Sequence, residues 1–248
     1  VFSLRKGTQN VMSQEMILLM GTAAFIGFFH TLLGPDHYLP FVVLGKARNW
    51  SIAKVSWVTL LCGIGHVASS VVLGLAGIAL GITVTKLTAV ESFRGNLAAW
   101  ALTAFGLVYF VWGLRRARQQ RPHEHLHVHS DGRTHIHRHV HTEEHSHFHE
   151  GGKTGSLTPW VLFIIFVLGP CEPLIPILLY PAAKENLWGV LLVAAVFSAA
   201  TLLTMLAVVI SSFWGLNRLP LQKMERFTHA AAGGSICLCG AAIQFLGL

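Results

Sequence analysis

Charge is what this sequence has least of. Only 12% of its 248 residues are charged, against about 25% in an ordinary soluble domain. So few ionic groups exclude a conventional water-facing globule. Paired cysteines are missing as well. Cys62, Cys171, Cys237 and Cys239 form no CxxC and stand in apolar surroundings, which argues against a disulfide framework. No glycine-rich ATP-binding motif is present, so any transport would be secondary. The sequence opens on Val1, which implies that an initiator Met or a longer leader has been lost, and no signal peptide with a cleavage site is read near the start.

What is present in quantity is apolar, 53% of the chain. The residues gather into six runs of membrane length, roughly 15–43, 55–82, 95–114, 158–182, 187–214 and 227–247. The expected fold class is therefore an all-α membrane protein with six transmembrane helices. The formal charge of +7 points to lipid headgroups rather than nucleic acid, because the basic residues flank the apolar runs.

Two of the six runs are interrupted in the same way. The first contains LGPDHYLP (33–40) and the fourth LGPCEPLIP (168–176). Gly-Pro cannot continue a regular helix. Each interruption opens on Leu-Gly-Pro and lies in the first span of a three-span half, which points to duplication. Three is odd, so the second copy must enter the membrane from the opposite side: two inverted three-helix repeats with broken first and fourth helices. The expected divisions are 1–114, a histidine-rich loop at 115–157, and 158–248. Lys and Arg are distributed 13 against 5 in favour of the loops after spans one, three and five. The positive-inside rule then places both termini outside and the long loop in the cytoplasm, with the plasma (inner) membrane the expected location.

The long loop holds eleven of the fifteen histidines, between residues 123 and 149, almost all spaced H-x-H. Imidazole is the commonest nitrogen ligand for first-row transition ions. Runs at 123–129 and 135–141 flank Ser-Asp-Gly-Arg-Thr, a connection suited to a β-hairpin. With metal the loop is expected to close in that form; a solvated, disordered tract is the bland alternative.

Ionisable groups inside spans are costly and usually functional. The candidate metal ligands are His30, Asp36, His37, His66, Cys171 and Glu172. Imidazole, carboxylate and thiolate together suit a divalent first-row ion. Each has a plainer reading: packing histidines at 30 and 37, an interhelical hydrogen bond at His66, a purely orienting Asp36, a structural Cys171-Glu172. His229 near the last span could equally face headgroups. Cys62, Cys237 and Cys239 read as small buried residues.

Six spans, HTLLGPDH in the first and a histidine-rich loop between spans three and four resemble the nickel/cobalt efflux (RcnA/NicO-like) family of the LysE-type superfamily. HTLLGPDH is also similar to the His-x4-Asp-His signature of nickel/cobalt permeases, although five residues separate His30 from Asp36. The resemblance implies a secondary transporter, not an enzyme, that exports nickel or cobalt, with zinc a further substrate and no bound cofactor. Its partners would be metal ions and membrane lipids, with homo-oligomerisation left open. Two alternatives stand beside it: a membrane metal-binding assembly factor for a nickel enzyme, and a thiol-electron carrier. The same superfamily includes the transmembrane thiol-electron carriers of cytochrome c biogenesis, which place a cysteine at each break. Here Cys171 occupies the second break, while Asp36-His37 occupies the first.

Overall fold

The computed structural model describes residues 2–119, 123–128, 134–139, 157–184, 186–218 and 226–246. Helix α1 (Phe2–Leu33) stops where the sequence says it must. The proline ring of Pro35 disfavours helical backbone at Gly34, which adopts φ −87° and ψ 99°. A single 3-10 turn, Pro35–His37, follows, and α2 (Leu39–Ala47) resumes. Next come α3 (Ile52–Ala79) and α4 (Val84–Gln119). Helix α3 is capped by Ser51 Oγ, which accepts from Lys54 N at 3.2 Å. The second half runs α5 (Leu157–Leu168), the Gly169-Pro170 break, α6 (Leu174–Ala183), α7 (Leu187–Arg218) and α8 (Thr228–Leu246). Asn186 Oδ1 caps α7 by accepting from Gly189 N at 2.9 Å.

The chain is an integral, multi-pass membrane protein. Among the described residues, five helices are long and apolar enough to cross a bilayer: α1 over Gln14–Leu33, and α3, α4, α7 and α8. The expected fourth span is instead divided between α5 and α6, each too short to cross alone. The expected third span, 95–114, lies inside the much longer α4. Reading for apolar runs stopped at Glu91 and Arg94, yet both lie within the helix, and Glu91 is fully buried.

Packing relates the halves. Helix α1 lies on α7, as α5 lies on α3; α2 touches α7 and α8, as α6 touches α3 and α4. Among the described residues, α4 and α8 make the most extensive contact. Their backbones touch through glycine. A Cβ at Gly106 would lie 2.3 Å from Cys237 N, and one at Gly233 would lie 2.2 Å from Phe110 N. Small residues permit this approach where lipid offers no hydrophobic gain from helix association.

The interior has two apolar clusters. One gathers Phe41, Leu44, Val55, Leu162, Met205 and Ile236. The other holds Ala23, Cys171, Leu174, Leu178, Val193 and Phe197. Large apolar side chains such as Trp57, Trp160 and Trp188 are exposed on the outer surface.

Within the histidine loop, strands β1 (His123–Val128) and β2 (Thr134–His139) pair antiparallel. The register sets His123 opposite His139, His125 opposite His137 and His127 opposite His135. Of the expected connection at 130–134, Thr134 begins β2, while residues 130–133 and the histidines at 129 and beyond 139 lie outside the described residues.

Candidate functional site

The two Gly-Pro breaks converge. His30 comes from the last turn of α1, His37 from the 3-10 turn, and His66 from the middle of α3. Ligand atoms of these three histidines all lie within 4.8 Å of one another. The ring centroids of His30 and His37 are 4.8 Å apart, and those of His37 and His66 are 5.1 Å apart. The fold therefore brings the three ring-bearing candidates together from positions up to 36 residues apart in sequence, counting from His30 to His66.

Hydrogen bonding orients the rings. His37 Nδ1 faces two acceptors, Gly34 O and Asp36 Oδ1, each at 3.1 Å. Only an N–H can satisfy two oxygens, so Nδ1 carries the proton and Nε2 presents a lone pair. That Nε2 is buried without a partner, and so is His30 Nε2. Asp36 Oδ1 thus helps to hold the His37 ring. His66 Nδ1 donates to Phe166 O at 3.3 Å. Its Nε2 then accepts, and Cys171 Sγ lies 2.9 Å away. The Cys171 thiol, fully buried, donates to His66.

The glycines of the two LGP motifs have a shared steric function. A Cβ at Gly34 would fall 2.6 Å from His37 Nδ1, and one at Gly169 would fall 3.1 Å from His66 Nδ1. Each break places a bare backbone against an imidazole.

A cavity of about 510 Å³ opens beside the cluster, bounded by His30, Asp36, His37, His66, Gly169 and Glu172 among others. Cys171 is not part of this lining; it sits behind His66. Glu172 is exposed at the wall.

The second break is supported by polar residues of α3 and α4 that the apolar runs do not single out. Cys171 N donates to Ser70 Oγ at 3.1 Å, and Ser70 Oγ donates to Glu91 Oε2 at 3.3 Å. Glu91 is paired with Arg94. Arg94 Nη2 also donates to Ser69 Oγ at 2.7 Å, Val167 O at 2.9 Å and Gly169 O at 3.4 Å. Breaking a helix leaves its last carbonyls without intrahelical donors; a guanidinium reaching across from α4 satisfies two of them. The available signal was an acid and a base at i,i+3 beside an apolar run. His229 lies elsewhere: its Nδ1 is 2.8 Å from Tyr109 Oη, and its ring is against Trp112. Cys62, Cys237 and Cys239 are free and, with Cys171, form no disulfide.

These features define a polytopic helical membrane protein with a histidine–cysteine centre where two broken helices meet. Residues 38–242, well over half of the chain, match the family described as cytochrome c biogenesis protein transmembrane region, and the chain belongs to that family. No curated protein matches the chain. No solved structure matches it either.

The family overturns the nickel/cobalt efflux assignment and, with it, the reading as a secondary transporter of divalent metal. The match starts at Tyr38, so HTLLGPDH (30–37), the motif that carried the efflux resemblance, lies wholly outside it. His66 and Cys171 lie inside. A short motif and a histidine-rich loop were outweighed by a pattern running through all the helices from α2 to α8.

Proposed function

We propose that the protein is a membrane thiol-electron carrier of the cytochrome c biogenesis type, with Cys171 as its reacting thiol. The observation that carries this reading is the 2.9 Å contact between Cys171 Sγ and His66 Nε2 at the second break. An adjacent imidazole that accepts the thiol proton is the usual means of making a cysteine nucleophilic.

A single thiol can pass electrons if both partners bring sulfur. His66 takes the Cys171 proton as the sulfur attacks a partner disulfide. A bond forms between Cys171 and one partner sulfur, the partner S–S bond breaks, and the other sulfur leaves and is protonated. A donor dithiol then attacks the Cys171 sulfur, which frees the partner with both thiols reduced. The second donor thiol closes the donor disulfide and returns Cys171 to the thiol form. Two electrons have moved from donor dithiol to partner disulfide, and protons balance. Opening of the Pro-flanked segment between α5 and α6 would expose Cys171 for each attack.

The wider architecture we propose is a pair of inverted repeats. It is supported by the LGP motif in both halves and by the exchange of helix contacts between them. The distribution of Lys and Arg supports an orientation with both termini outside and the histidine loop in the cytoplasm.

The test is thiol transfer across reconstituted vesicles, with a dithiol outside and a disulfide dye enclosed. The wild-type protein should reduce the dye. Cys171→Ser should abolish transfer, and His66→Gln should slow it by about 10²-fold or more, the scale of a lost general base. Undiminished transfer by Cys171→Ser overturns the reading.

A further inference from the structure

We propose that His30, His37 and His66 form a resident binding site for a single zinc-class transition-metal ion, with the fourth coordination position open to the cavity. The proposal goes beyond electron transfer and does not depend on it. The ion is held, not carried.

Three observations converge. First, one ring nitrogen from each histidine lies within 4.8 Å of the other two. Tetrahedral coordination at about 2.0–2.1 Å from the ion requires nitrogens roughly 3.4 Å apart. Ion binding would draw the three rings together from that spacing. Second, the Nε2 atoms of His30 and His37 are buried with no hydrogen-bond partner. A buried lone pair left unmatched is costly, and His37 is only 3% exposed. Two such atoms, on rings whose centroids are 4.8 Å apart, indicate a ligand that accepts electron pairs. Third, the outer contacts are those of a metal site. His37 Nδ1 is held by Asp36 Oδ1 and Gly34 O, each at 3.1 Å. Ligating histidines commonly donate their other ring N–H to a carboxylate or carbonyl, which fixes the tautomer and leaves the far nitrogen for the ion.

His66 differs from the other two because both its nitrogens already have partners, Phe166 O and Cys171 Sγ. Either one must be released for His66 to ligate. Asp36 serves as the orienting carboxylate rather than a ligand. Glu172 lies at the cavity wall, and its exposure sets it apart from the buried cluster. Three imidazoles with one open position match the arrangement of a zinc site that keeps a coordination place for water or another small ligand.

The experiment uses the full-length chain with the eleven loop histidines replaced by asparagine, so that zinc added alone reports on the buried cluster. Equilibrium dialysis and metal analysis should find one zinc per chain. His37→Gln and His30→Gln should each remove it, whereas His229→Gln should leave it in place. Asp36→Asn should weaken binding by about 10- to 100-fold, the usual effect of losing an orienting partner. Far-ultraviolet circular dichroism and monodispersity in detergent establish that each variant is folded. No bound zinc in the folded parent, or one zinc retained in folded His37→Gln, overturns the site. Cys171→Ser keeps all three imidazoles and should still bind zinc. Loss of thiol transfer therefore tests the electron-carrier reading, and loss of zinc tests this one.

Discussion

Gly34 shows how much one missing methyl group can decide. Its φ of −87° and ψ of 99° are open to any residue, so the backbone alone does not require glycine. The requirement comes from the imidazole pressed against it. Gly34→Ala would set a Cβ 2.6 Å from His37 Nδ1 and 2.8 Å from Asp36 Oδ1. The ring must swing away, breaking the bonds that orient it. In the asparagine-substituted background, Gly34→Ala should lower zinc affinity at least tenfold by dialysis, in line with loss of an orienting contact. The accompanying loss of stability should be about 1–3 kcal/mol, as for other overpacked sites. Unchanged zinc affinity would show that the Gly34 contact does not set the ring. The sequence drew attention to this residue for its Gly-Pro pairing, and that explained the break. It did not disclose the steric role, because nothing in LGPDH states which side chain folds back over the glycine.

At the scale of elements, the break after Leu168 and the seam between α4 and α8 answer different problems. The break strands carbonyls in a low-dielectric interior, and Arg94 answers by donating to Val167 O and Gly169 O while Glu91 balances its charge. Counting Arg94 among the loop cations was natural from hydropathy alone, since a charged residue terminates an apolar run. The helix continues because the charge is paired and hydrogen-bonded inside the protein. The seam instead depends on having no side chain. Gly106 and Gly113 of α4 meet Gly233 and Gly240 of α8 on facing surfaces where backbone atoms nearly touch. Gly233→Leu should separate the helices, lowering stability by about 1–3 kcal/mol or more. A lower midpoint for loss of helicity on heating in detergent is the readout. A midpoint equal to wild type would mean that the seam does not constrain the pair.

The whole molecule raises the question of orientation. Thirteen of the eighteen Lys and Arg residues lie in the segments after the first, third and fifth apolar runs, and Arg94, one of the other five, belongs to the interior of α4. Moving it out of the count strengthens the bias. Protease added to inside-out inner-membrane vesicles should trim the tract, and right-side-out vesicles should protect it. The reverse pattern would invert the proposed topology. The paired β1 and β2 strands place histidine opposite histidine on three rungs.

Amphiphile chemistry settled a good part of this protein in one dimension. Long apolar runs with few charges can only be helices in a bilayer, because every backbone N–H and C=O must be satisfied within the segment. Gly-Pro marked both interruptions for equally local reasons. The rest needed three dimensions. His30 and His37 were close in sequence, but the approach of His66 and Cys171 depends on α3 and α5 packing together. Tertiary packing alone made Asp36 an orienting group and left two imidazole nitrogens without partners, because burial and direction belong to a folded chain and not to a string of letters. The family was likewise invisible in the eight residues HTLLGPDH, because the pattern that identifies it runs through residues 38–242 and begins after them.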